Sequence, residues 1–261
     1  MFKCYNLLQG KKVVKEFLQN TYNINSDKYF SETANIQERI LENVNKLTNG
    51  ENYLDGDVIQ AEWFPTINAK VFISHSHEDL ATALFLKKKF DEVNVPAFVD
   101  SVVWGYCDDL LKKIDNKYCR NSGSHTYNYK KRNNTTAAVH MMLSNALTQM
   151  MDKCECVLFL NTHNSNLKDC CGRTVATASP WIFHEISMMK VLRQQTPRRL
   201  LNEQKRTRTI DSISQTTQFI HNIPIGELPK IDASELISWL SNEKSLGVYG
   251  DDLLKNLYCT F

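Results

Sequence analysis

Glu185 stands in the run SPWIFHEISMMK, residues 179 to 190, where Ser179 and Pro180 read as the N-cap and first turn of a helix. Three- and four-residue steps along one face give Trp181, Glu185, Met188 and Leu192, so a carboxylate falls between a tryptophan and two aliphatic side chains. Glu185 lies too far into the helix for a capping box. Position 189 is methionine, so there is no lysine four residues on to form a surface ion pair. The plain reading is a glutamate on a solvated face. The other is a carboxylate positioned for chemistry.

Other reactive side chains give weaker signals. His75 and His77 are two apart and read as polar loop residues rather than a metal pair. Cys154 and Cys156 flank Glu155, and Cys170 and Cys171 are adjacent; neither is a CxxC pair, so no metal site is expected. Lys130, Lys131 and Arg132 beside Tyr127 and Tyr129 could meet a phosphate or nucleic acid, but the run is short and isolated and reads as a solvated loop. There is no GxGxxG, no GxxxxGK[ST] and no GxSxG, so the dinucleotide fingerprint, the P-loop and the nucleophile elbow are missing.

The elements that must position Glu185 follow from the apolar pattern. Over 261 residues, 42% are hydrophobic and 10% aromatic, which suits a globular core. The net charge of +2 makes no global case for nucleic acid. No apolar run is long enough to span a bilayer, and no secretory signal is read at the start. Eight irregularly spaced cysteines without such a signal are expected to be reduced thiols in a cytoplasm.

Residues 1–67 read as a helical appendage, from the spacing in KKVVKEFLQ and ETANIQERILENVNKL, with packing or oligomerisation as its default role. Residues 68–261 read as an α/β domain. KVFIS (70–74), VPAFVD (95–100) and CVLFLN (156–161) are short apolar strands. They alternate with helices in DLATALFLKKKFDEV, DDLLKKID and AAVHMMLSNALTQMM, with Ala83, Leu86, Phe90 and Val93 on one stripe of the first. This order predicts a parallel sheet with helices on both faces. SVVWGY reads as a loop, and residues 116–134 as a polar insertion. Further on, TQFIHNIPI reads as a strand ending at Pro224, DASELISWLSN as a helix capped by Asp232, and DDLLKNLY as a last helix. In such a sheet ligands bind at the carboxyl ends of the strands. That rule brings Ser74, His75, Ser76, Asp100, Trp104, Trp181 and Glu185 toward one rim, with the helix near Asp79 able to aim N–H groups at a phosphate.

Four segments in this order resemble the Toll/interleukin-1 receptor (TIR) domain family over roughly residues 68–240. KVFISHSHED resembles its first conserved box, VPAFVDSVVWGY the second strand and following loop, and CVLFLNTHNS the third strand and its exit. SPWIFHEI resembles the segment in which a tryptophan precedes the catalytic glutamate of NAD-cleaving TIR domains by four residues. The resemblance implies a flavodoxin-like sheet and cleavage of the nicotinamide–ribose bond of NAD⁺, which is substrate rather than cofactor. Nicotinamide leaves as a neutral molecule, so no general acid is needed. A carboxylate near the ribose stabilises the cationic sugar, as in glycoside cleavage.

Carried over, Glu185 is catalytic, Trp181 walls the ribose, Trp104 covers the ring, His75 and Ser76 meet the phosphates, and Ser74 and Asp100 complete the rim. The resemblance further implies a bacterial anti-phage role through NAD⁺ depletion or an ADP-ribose-derived signal, linear or cyclic, read by a separate effector protein. Homo-oligomerisation on activation goes with it; from the charge and the lack of a long apolar run, no membrane or nucleic-acid partner is expected. Two other readings compete: a non-catalytic TIR adaptor acting through Ser101 to Tyr106, and a nucleoside-processing enzyme on a similar sheet.

Overall fold

The computed structural model describes residues 2–8, 55–105, 107–123, 125–165, 176–192, 196–197, 221–223 and 225–261. These fall into two compact units. One comprises the described residues within Met1–Ile24, Asn68–Val99 and Met150–Phe261; the other those within Asn25–Ile67 and Asp100–Gln149.

The first unit is α/β and flavodoxin-like. Its five-stranded sheet contains β1 (Lys3–Leu8), β2 (Val71–Ser74), β3 (Ala97–Phe98), β4 (Cys156–Asn161) and β7 (Lys230–Asp232), in the order β3-β2-β4-β1-β7. Every pairing is parallel. All four residues of β2 and the first five of β4 are buried, as expected of strands covered on both faces. The edge strands β3 and β7 have only two and three residues, which limits the open ladder they present.

Strand β1 corrects the expectation of a helical appendage for residues 3–8. It lies inside the sheet, with Lys3–Leu8 in register with Cys156–Asn161 on one side and Asn6–Leu8 paired with Lys230–Asp232 on the other. Tyr5 and Leu7 are fully buried. β1 thus fills the fourth position of the sheet. The helices expected in 11–19 and 32–47 lie outside the described residues.

Helix α2 (Leu80–Asp91) follows β2 and buries the predicted stripe Ala83, Leu86 and Phe90, with Val93 just beyond its end. α6 (Pro180–Val191) starts where the sequence predicts: the Ser179 hydroxyl accepts from the Ile182 N–H, and Pro180 occupies the first turn. α7 (Ala233–Ser245) is capped by the Asp232 carboxylate, which accepts from the Ser234 and Glu235 N–H groups, and α8 (Gly250–Thr260) follows. The predicted strand near 224 is reduced to β6 (His221–Asn222), which pairs antiparallel with β5 (Ala176–Thr177) apart from the main sheet.

The second unit contains α1 (Gly56–Trp63), α3 (Asp100–Val103), α4 (Cys107–Ile114) and the greater part of α5 (Tyr129–Lys153). Two expectations change here. Asp100–Val103 forms a helical turn rather than loop. The polar insertion is ordered by its own side chains: Arg120 and Tyr127 both donate to the Asn116 side-chain oxygen, at 2.9 and 2.5 Å, and α5 already begins at Tyr129. Arg132 folds back onto the buried Asp115 carboxylate at 2.9 Å and stacks over the Tyr127 ring. The basic run is therefore partly committed within the unit.

Candidate functional site

β2 leads through α2 to β3 on one side of the sheet, whereas β4 leads onward to β7 on the other. The strand order therefore reverses between β2 and β4. Their carboxyl ends flank the switch point at which open parallel sheets form a ligand crevice.

Two hydrogen-bonded clusters occupy this edge. The first joins β2 to α6: the Ser74 hydroxyl donates to Glu185 Oε2. Ser74 is the last residue of β2 and is 1% exposed; Glu185 is 4% exposed. The buried face of α6 is Ile182, Glu185, Ile186 and Met189. This shifts the face read from sequence: Trp181 and Met188 are half-buried and flank it. Each residue turns the helix by about 100°, so the contact with Ser74, rather than apolar spacing alone, fixes which way Glu185 points.

The second cluster joins the turn after β2 to the turn after β4. Buried Asp79 accepts from Thr162 Oγ1 at 2.5 Å and from Asn164 Nδ2 at 2.8 Å. The Ser165 hydroxyl in turn accepts from the Thr162 N–H at 2.8 Å. None of these residues was singled out as a site residue, although HSHED and NTHNS contain them. Asp79 also alters the expected phosphate seat. With Glu78 it places negative charge at the start of α2, where it meets the positive end of the helix dipole and opposes an anion.

His75 and Ser76 stand beside Ser74, both half-buried. The His75 ring lies 3.3 Å from the Ile73 carbonyl through Nδ1, a contact that requires the proton on Nδ1. Ser76 precedes the short turn His77–Asp79, and its carbonyl accepts from the Asp79 N–H at 2.8 Å. A third polar link closes the edge at β1: Asn161 donates to the Asn6 side-chain oxygen at 3.0 Å, and Asn6 donates to the Ile225 carbonyl at 3.3 Å.

Asp100 and Trp104 belong to the second unit. Trp104 is not an open lid. It is 2% exposed, meets Phe64 edge-on at 5.6 Å, and its indole N–H donates to the Pro65 carbonyl at 3.0 Å. A buried indole needs such a partner, and the segment just after α1 provides it. Asp100 is half-buried at the start of α3.

Four thiols, Cys4, Cys107, Cys154 and Cys156, are poor nucleophiles. Burial pushes Cys4 and Cys154 up to about 12 and Cys156 well above its ordinary value. Burial, with the Asp108 carboxylate, pushes Cys107 up to about 12 as well. Six cysteines are free among the described residues. No described helix is long and apolar enough to cross a membrane.

No protein-family model, no curated protein and no solved structure matches the chain.

Proposed function

We propose that the chain cleaves the nicotinamide–ribose bond of NAD⁺, with Glu185 as the catalytic carboxylate. The observation that carries this reading is the Ser74–Glu185 contact at the switch point, with Trp181 one turn before it. A hydroxyl donor orients the carboxylate without neutralising it. In a site with little water, that negative charge stabilises positive charge developing on the ribose. Water or an internal nucleophile of the nucleotide then captures the sugar, giving ADP-ribose or a cyclic product. The four TIR-like segments support the same reading, together with a cytoplasmic role in bacterial anti-phage immunity through depletion of NAD⁺ or a signal sensed by a separate effector.

Glu185 is 4% exposed, so substrate reaches it only after the surrounding chain moves. Self-association on activation is the event we assign to that movement. The same burial favours the runner-up, a non-catalytic interaction module in which the Ser74–Glu185 bond is only structural.

NAD⁺ turnover, measured across a wide range of protein concentrations beside Glu185→Gln and with products separated chromatographically, distinguishes the two. The enzyme reading expects nicotinamide release by the native chain alone, rising steeply with concentration. Equal turnover by both proteins, or none by the native chain under conditions in which it self-associates, sinks it.

A further inference from the structure

The second unit contains a cluster outside the proposed NAD⁺ site. Cys107 and Asp108 open α4, and His140 lies in α5. The Cys107 sulfur, an Asp108 carboxylate oxygen and a His140 ring nitrogen all lie within 4.8 Å of one another. The thiol donates to Asp108 Oδ1 across 3.9 Å. Cys107 and His140 are half-buried, and Asp108 is exposed, so the cluster is reachable from solvent.

We propose that these three side chains form a binding site for a divalent cation of the zinc class. Thiolate, imidazole and carboxylate are the donor set that such a borderline ion takes. Metal–ligand bonds of roughly 2.0–2.3 Å at tetrahedral angles hold pairs of donor atoms about 3.3–3.6 Å apart. The present spacing needs to close by at most about 1.5 Å, a shift of the size that side-chain rotation supplies. Charge also balances: one thiolate, one carboxylate and a neutral imidazole offset a 2+ ion. The two anionic ligands sit in the first turn of α4, where the helix dipole favours negative charge. On binding, the sulfur–metal bond replaces the S–H bond, and the proton passes to solvent. Three protein ligands leave a fourth position for water or another ligand. The ion ties α4 to α5. The spacing from Cys107 to His140 matches no short metal motif, which is why sequence alone does not reveal the site.

The test is titration of the metal-free full chain with Co²⁺ and then Zn²⁺, following the thiolate-to-cobalt charge-transfer band and competition with a chromophoric chelator. The expected result is one equivalent of Co²⁺ with a thiolate band that Zn²⁺ displaces, and a rise in melting temperature with Zn²⁺. Cys107→Ser abolishes the band. His140→Gln lowers Zn²⁺ affinity by at least about 100-fold, since even loss of an outer partner costs 10–100-fold. Cys259→Ser, at an exposed thiol elsewhere, leaves both unchanged. Circular dichroism confirms that each variant is folded, and His140→Gln serves alone if Cys107→Ser is not. Absence of a thiolate band in the native chain, or native-like affinity in folded His140→Gln, overturns the site.

Discussion

The two units each bury a carboxylate, and they do so differently. In the second unit Asp115, 3% exposed, accepts from the Arg132 guanidinium at 2.9 Å and from the Thr135 hydroxyl at 2.6 Å. In the first, Glu185 accepts from the Ser74 hydroxyl, and Asp79 from a hydroxyl and a carboxamide. A guanidinium fixes geometry and cancels charge together. A hydroxyl fixes geometry and leaves the charge in place. The Asp115 arrangement therefore reads as a strut that closes a polar turn onto α5. The arrangement at the sheet edge orients negative groups at a position where an open parallel sheet receives ligands.

Breaking the two kinds of contact separates their roles. The largest effect is expected from Glu185→Gln, which keeps shape and hydrogen-bonding capacity but removes charge. NAD⁺ turnover falls by at least about 100-fold, comparable to losing one preorganised electrostatic group, while the melting temperature stays close to native. Turnover within a few-fold of native would return Glu185 to a structural role. Arg132→Ala has the opposite signature. It leaves Asp115 buried without its cation and destabilises the protein by about 1–2 kcal/mol in urea unfolding; the half-exposed guanidinium keeps this below the cost for a fully buried pair. Turnover per folded molecule does not change. Ser74→Ala falls between them. Removing a donor from a buried carboxylate costs about 1–2 kcal/mol, and the loosened Glu185 lowers turnover through kcat more than through KM. A stability loss with native kcat would place Ser74 outside the site.

The sequence makes the contact at the sheet edge legible through topology: strands that read as continuous apolar runs imply a parallel sheet, and the end of β2 is where such a sheet presents polar groups. What it hides is long-range. KCYNLL is six residues with an asparagine in the middle, and its partners lie beyond residue 150, so nothing local marks it as a central strand. The face of α6 is misread by one helical step because Ile182, Glu185 and Ile186 turn inward together, while Trp181 stays half-buried. Trp104 looks like a loop aromatic until the Pro65 carbonyl from a distant segment satisfies its N–H. The insertion reads as solvated because its residues are polar. In the fold they bond to one another, and composition cannot distinguish a hydrogen bond to water from one to Asn116 or Asp115.

Asp232 supplies a fourth carboxylate, at the end of β7, and the smallest predicted effect. Like Glu185 it accepts from a serine hydroxyl, here that of Ser234, together with the Ser234 and Glu235 N–H groups, but it is only partly buried. The Ser234 hydroxyl, outweighing partial burial and aided by the backbone donors, holds its carboxyl below the ordinary value of 3.8. Because the folded-state value is the lower one, the cap contributes its full stability above 3.8 and loses it as pH falls through the depressed value. Asp232→Ala therefore costs about 1 kcal/mol at neutral pH, as loss of an N-cap does. The gap between native and variant melting temperatures should close as the pH is lowered through the range below 3.8. A gap that persists there would mean that the cap works through Ser234 and the backbone turn rather than through charge. The rule that a hydroxyl donor, unlike a guanidinium, leaves a carboxylate's charge in play would then not extend to the partly buried end of β7.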